Sequence, residues 1–280
     1  MARRRLPRVI DDPRTLLDLP YGRRQLIAID SPYRRTPRAS NNGRLRDIAD
    51  RAASTARRAQ RSLRERRNRR IAAQGLQVLR VDIAMATEHL SFPPGHPLDG
   101  IVYVADPALT GTYYPAATFH RRTFDRKFSE AVRLLMALGA TSIEVLHRQG
   151  WGRQFAGSLG ASSLFSGATG SRERASDRES KVLFRAELTP SAPFVPDDLH
   201  WLKHEPNWQA LVEGRLHRGL RDFTLHLQYH DAFRVDSSLE GKIKALGFQA
   251  GGEIEEFQQT EWEMRGEFAV IELTNPHDTA

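Results

Sequence analysis

Eight arginines fall within residues 57–70: Arg57, Arg58, Arg61, Arg64, Arg66, Arg67, Arg69 and Arg70. A guanidinium is a planar fork of donors that grips a phosphate through two hydrogen bonds. Neutralising phosphates also releases their counterions. Side chains of this type at this density point to polyanion binding by charge. The imbalance extends beyond the cluster. The first 70 residues hold 21 arginines, no lysine and seven acidic residues, a charge of +14. The other 210 residues hold 21 Lys+Arg against 27 Asp+Glu, or −6. The net +8 therefore hides two pieces of opposite sign. Arginine outnumbers lysine 37 to 5, a ratio that genome composition alone can produce, so the net charge carries the argument. Such an asymmetry implies a polyanionic partner, or docking on the acidic remainder of the chain itself.

Other residues could do chemistry, and each has a plainer explanation. His200 and His204 stand four apart on an expected helix, a metal-ligand spacing. No third ligand accompanies them, and surface histidines explain the pair. His226 and His230 are also four apart, but on an expected strand they sit about 13 Å from each other and cannot share an ion. His230-Asp231 would need a nucleophile from elsewhere, and no Gly-x-Ser-x-Gly supplies one. Gly167-Ala168-Thr169-Gly170-Ser171 lacks the lysine of a phosphate-binding loop. Without cysteine there are no disulfides, thiolate metal sites or cysteine nucleophiles.

Leu26-Ile27-Ala28-Ile29-Asp30 resembles the apolar strand ending in Asp that opens RNase-H-like sites. The arginine cluster is similar to the Arg-rich helix following the first catalytic strand of RNA-guided nucleases. The resemblance implies a Mg²⁺- or Mn²⁺-dependent phosphoryl-transfer site, with Glu144 and Asp231 as the further carboxylates. Ser31-Pro32 stands where such sites carry Gly, and no family is assigned from it.

These residues must be positioned by elements read from the same pattern. Residues 1–42 read as an extended basic arm punctuated by prolines. Within it, Asp12-Pro13 starts a short helix over Arg14–Leu19, and Gln25–Ile29 forms a short strand. Residues 43–75 read as the Arg-rich helix, with Asn41 or Asn42 as cap and a narrow Ala-rich stripe including Ala49, Ala52, Ala56 and Ala59. Residues 76–273 carry all four Trp and all 13 Phe, and so the core. Strands are expected at Leu79–Met85, Ile101–Val104, Ser142–Leu146, Lys181–Leu188, Phe223–Tyr229, Ile254–Phe257 and around Trp262–Val270. Helices are expected at Phe124–Leu138, from Asp197 or Asp198 to an interruption at Pro206, at Asn207–Leu216, and from the capping box Ser237-Ser238-Leu239-Glu240 to Gly247. Trp201 and Trp208 read as core anchors. Residues 148–180, with six glycines, read as a flexible Gly/Ser-rich insert, and 274–280 as a tail.

The fold class is therefore α+β: a mixed or mainly antiparallel sheet with about three helices on one face, preceded by the arm and Arg-rich helix. No run of 18 apolar residues exists, and Met1–Arg5 leads into no apolar segment, so neither a membrane span nor a secretory leader is expected. The expected location is cytoplasmic. The function that fits is non-enzymatic binding of a polyanion, nucleic-acid backbone above all, or assembly, with no cofactor and no metal. One alternative is a membrane-associated or toxin-like effector using the Arg-rich helix and the Gly-rich insert on anionic lipid. Another is a metal-dependent nuclease using Asp30. Homotypic assembly is a further expectation: Glu261, Glu263, Arg265 and Glu267 alternate with Trp262, Met264 and Phe268 to give an acidic strand face, on which the basic arm of another copy can lie.

Overall fold

The computed structural model describes residues 9–10, 12–30, 77–151, 182–230, 233–255 and 258–270. The chain divides into two compact units. One comprises the chain up to His120 together with Arg234–Glu256; the other comprises Arg121–Phe233 and the chain from Phe257. Both combine helices with sheet, and the class is α+β.

The first unit is built on a mixed five-stranded sheet. Its strands are β1 (Val9–Ile10), β2 (Leu26–Ile29), β3 (Leu79–Val81), β4 (Val102–Ala105) and β5 (Tyr113–Pro115), in the order β1-β3-β2-β4-β5. β2 is central: it pairs parallel with β3 and antiparallel with β4. All four of its side chains are buried, as a strand covered on both faces requires. Ile27, Ile29, Val81, Tyr103 and Tyr113 pack on one face with Leu16 of α1 (Pro13–Leu17) and Met85 and Ala86 of α3 (Ile83–His89). Asp12 caps α1 through the amides of Arg14 and Thr15, with Pro13 in the first turn, where its missing N–H costs nothing. A second short helix, α2 (Tyr21–Arg24), leads into β2.

The second unit is built on a four-stranded antiparallel sheet, ordered β7-β6-β9-β8. Its strands are β6 (Ala140–Gln149), β7 (Val182–Glu187), β8 (Asp222–Tyr229) and β9 (Thr260–Phe268). β8 alternates exposed and buried without a break, the period-2 pattern of a strand with one face in water. The long helix α4 (Phe119–Ala137) brings Phe124 and Phe128 edge-on to Trp262 of β9, with ring centroids 5.0 and 5.1 Å apart. α5 (Pro206–Arg218) ends at Gly219, whose φ of 64° closes the helix in the left-handed region. Arg215 of α5 is fully buried, yet its guanidinium is satisfied: it donates to the carbonyls of Leu138, Leu220 and Ala269 and lies over the Phe268 ring. That single side chain fastens α5 to the ends of α4 and β9.

Three local expectations are corrected. Leu79–Met85 is not one strand. The strand stops at Val81, because Asp82 turns its carboxylate onto the amides of Ala84 and Met85 and starts α3. Pro206 does not interrupt a helix but begins one, and before it stands only the single 3₁₀ turn Leu202–His204. The cap of α6 (Ser237–Ala245) is Asp236, not Ser237, through a bond from the amide of Leu239.

Gly266 in β9 is required by contact rather than by turn geometry. A Cβ there would lie 1.9 Å from the carbonyl oxygen of Ser142 and 2.9 Å from the Phe223 ring. Gly266→Ala is expected to destabilise the protein by about 1–3 kcal/mol. Gly241→Ala, in α6 with nothing within 4 Å, is expected to stabilise it by about 0.5–1 kcal/mol. Urea unfolding of both variants beside the parent checks the opposite signs.

Candidate functional site

The eight arginines of the polyanion-binding expectation, Arg57, Arg58, Arg61, Arg64, Arg66, Arg67, Arg69 and Arg70, lie outside the described residues. Their attachment points are described. β2 ends at Ile29 and β3 begins at Leu79, and these two strands are parallel neighbours with Ile29 opposite Val81. The Arg-rich stretch is therefore held at both ends by adjacent strands of one sheet. It is a connection within the fold rather than a tail.

At the start of this connection sits an ion pair. Asp30 follows β2, and its carboxylate is engaged by Arg80 of β3. Arg80 is 2% exposed, and burial lowers the pKa of its guanidinium. The carboxylate singled out for metal chemistry is thus matched to a buried cation. Glu144, the second carboxylate of that set, is gripped by Arg185 and Arg265. Asp231 lies outside the described residues. Among the described residues, no group of three or more His, Asp or Glu side chains could hold a metal ion.

The histidines do not converge either. His200 precedes the 3₁₀ turn and stands 3.6 Å from Glu130, while His204 ends the turn, so the expected helical spacing is absent. His226 meets Glu261 at 3.1 Å, and His230 is exposed beyond the end of β8. Trp201 and Trp208 are buried. Residues 152–180 of the Gly-rich insert lie outside the described residues.

Pattern reading gave an acidic outward face to the last strand but not what stands beside it on the second sheet. Register places two rows of polar side chains there. One row reads Thr224, Arg265, Glu144, Arg185 across β8, β9, β6 and β7. The next reads Asp222, Glu267, Ser142, Glu187. Together they line a shallow depression of about 370 Å³. The alternation in β8 and β9 marked which side chains face outward. It could not tell which would stand opposite which, because register joins residues far apart in sequence.

Within the first row Glu144 lies between two arginines. Its side chain is 12% exposed, whereas Arg185 and Arg265 are 62% and 52% exposed, so much of its cover is the arginines themselves. Partial burial pushes the Glu144 carboxyl up. The hydrogen bonds from Arg185 and Arg265 outweigh this and hold it below the usual carboxylate range. At the edge of the same face, Arg148 holds the buried Glu263.

No family model, no curated protein and no solved structure matches this chain.

A carboxyl held low by folding stabilises the fold above its unfolded pKa, and that stabilisation is lost as pH falls through the folded value. Glu144→Gln is therefore expected to lower stability at neutral pH by about 1 kcal/mol or less, since both partners face solvent. The difference from the parent should begin to shrink as pH falls below about 4 and vanish only once pH has passed below the lowered folded value. Urea midpoints at neutral and acid pH, in low salt, check the sign and the convergence.

Proposed function

We propose that the protein binds the phosphate backbone of nucleic acid through the Arg-rich connection between β2 and β3, without catalysing a reaction. The observation that carries this reading is the charge: 21 arginines against seven acidic residues and no lysine in the first 70 positions. Binding is backbone-directed, with little readout of base sequence, because phosphate contacts position a protein without reporting sequence. Anchorage at both ends by parallel neighbours supports it further. A doubly tethered segment loses less chain entropy on binding than a free tail does.

The body of the protein sharpens the contrast. Its buried or half-buried cations already have partners: Arg80 with Asp30, Lys127 with Glu205 and the Gln228 carbonyl, Arg215 with three carbonyls. The surplus positive charge is confined to the N-terminal third.

Residues 9–29 supply β1, α1, α2 and β2, so removing the N-terminal third would take the centre out of the first sheet. The test is therefore substitution in the full chain. All eight arginines from Arg57 to Arg70 become Gln, and binding to duplex DNA, single-stranded RNA and anionic liposomes is followed over a salt series. The parent is expected to bind nucleic acid of any sequence, with log affinity falling against log salt by about 0.9 per duplex phosphate neutralised. The variant is expected to lose most of that slope. Binding to liposomes alone would favour the membrane-associated alternative; no helix among the described residues is long and apolar enough to cross a bilayer, which leaves surface attachment open to the same assay.

The nuclease reading has one observation in its favour. β1, β3 and β2 run parallel and reach their ends together at Ile10, Val81 and Ile29. The next residues in sequence are Asp11, Asp82 and Asp30. Against it, Asp30 is occupied by Arg80 and Asp82 caps α3. Asp30→Ala is a poor probe, because a buried guanidinium left without its partner costs about 3–5 kcal/mol. Asp30→Asn keeps the shape and should be less damaging. Retention of any Mg²⁺-dependent cleavage in Asp30→Asn would eliminate the nuclease reading; abolition with the fold intact would support it.

A further inference from the structure

The outer rows of the second sheet have opposite logic. In the row Arg265–Glu144–Arg185, one anion lies between two cations and all three are satisfied. In the neighbouring row Asp222–Glu267–Ser142–Glu187, the small Ser142 lies between two anions, with a third beyond Glu267. Asp222 and Glu267 are directly opposed, and like charges in that position destabilise a sheet. Asp222, Glu187 and Glu267 are exposed, and their carboxylates form no ion pair or hydrogen bond among the described residues. The second row is the charge inverse of the first with its central cation missing. Ser142 and the three carboxylates of this row all line the depression.

We propose that this face is a docking surface for the Arg57–Arg70 segment of a second copy of this chain.

The spacing suits guanidinium. Glu187 and Glu267 flank Ser142 from strands on either side of β6, so their backbones are about 9.5 Å apart. That is wide for shared ligation of one metal ion. It leaves room for a planar fork that donates to both sides. The satisfied row beside it displays the same chemistry, with guanidinium groups donating to Glu144 across neighbouring strands. A single exposed Arg–carboxylate contact is worth only about 0–1 kcal/mol. A useful partner must therefore present several arginines at once, as the segment with eight in residues 57–70 does. This proposal goes beyond nucleic-acid binding and does not rest on it. Both draw on the same arginines, so duplex DNA and the sheet face compete for them.

The test uses the full chain at low salt. Sedimentation over a concentration series is expected to show self-association. A labelled peptide of residues 57–70 is expected to bind the full chain by fluorescence anisotropy. Asp222→Asn, Glu187→Gln and Glu267→Gln together should weaken both by about tenfold or more. The fold should survive, because the change removes like-charge repulsion. Glu88→Gln, Asp197→Asn and Glu213→Gln together change the net charge equally, away from the row, and should weaken neither by a comparable factor. Saturating duplex DNA should dissociate the assembly. A chain that stays monomeric throughout, or a row variant that matches the off-row control, overturns the proposal. If duplex DNA fails to bind while the row variant still loses peptide, the nucleic-acid reading falls and the docking surface stands.

Discussion

The parallel pairing of β2 with β3 is the constraint from which the rest of the first unit follows. Parallel neighbours cannot be joined by a tight turn, so the chain between Ile29 and Leu79 must leave one end of the sheet and return to the other. Closing a connection of this length costs on the order of 3 kcal/mol in chain entropy. Burial on both sides of β2, and the contacts of Ile27, Ile29 and Val81 with Leu16, Met85 and Tyr103, must offset that cost. The most highly charged stretch of the sequence is thereby joined to neighbouring strands of one sheet, leaving from the end of β2 and returning at the start of β3. The Asp30–Arg80 pair sits at that junction. It neutralises the one arginine that the sheet itself buries there.

Buried charge is handled alike in the two units. Where a cation is buried, the fold surrounds it with carbonyls, a carboxylate or a ring. Arg215 has three carbonyls and Phe268; Lys127 has the Gln228 carbonyl, Glu205 and the Trp201 ring. Lys127 also donates to a backbone carbonyl, that of Gln228, on β8, an edge strand of its sheet. Buried phenols respond to the same low polarity. Tyr113, whose hydroxyl donates to the Arg24 carbonyl, has its pKa pushed up to about 12, chiefly by burial. Such groups stay neutral or fully paired, so they serve the fold and leave the exposed charges to deal with partners.

Much of the architecture was legible because it is local. The alternation Phe223, Leu225, Leu227, Tyr229 gives β8, Asp12-Pro13 gives the start of α1, and Phe124, Phe128, Val132 and Leu135 give the buried face of α4. The errors came where two local signals compete. Leu79 to Met85 alternates like a strand, but Asp82 is a strong cap and wins after three residues, turning Ile83 onward into helix. Pro206 reads as a breaker within a helix, yet at a first position its fixed φ favours initiation. On the second sheet the outward side chains were legible from alternation, but their neighbours in each row were not. Glu144 and Arg265 are 121 positions apart, and only the pairing of β6 with β9 makes them neighbours. The same holds for Arg80 and Asp30, which no helical or strand period could associate.

If the Arg-rich segment and the carboxylate row both bind as proposed, their partners are linked. Whatever occupies the arginines reduces what is left for the carboxylate row, and the reverse holds by the same free energy. Counterions weaken both contacts, but not equally. Duplex DNA carries a dense condensed ion atmosphere whose release drives binding, whereas the row on β6–β9 presents three carboxylates on a surface balanced nearby by Arg185 and Arg265. Nucleic acid should therefore be the stronger competitor at low salt and should lose its advantage fastest as salt rises. On the proposed reading, a row of only three carboxylates would hold the arginine segment until a denser polyanion displaced it, so the net negative remainder of the chain would not permanently quench its phosphate-binding side chains.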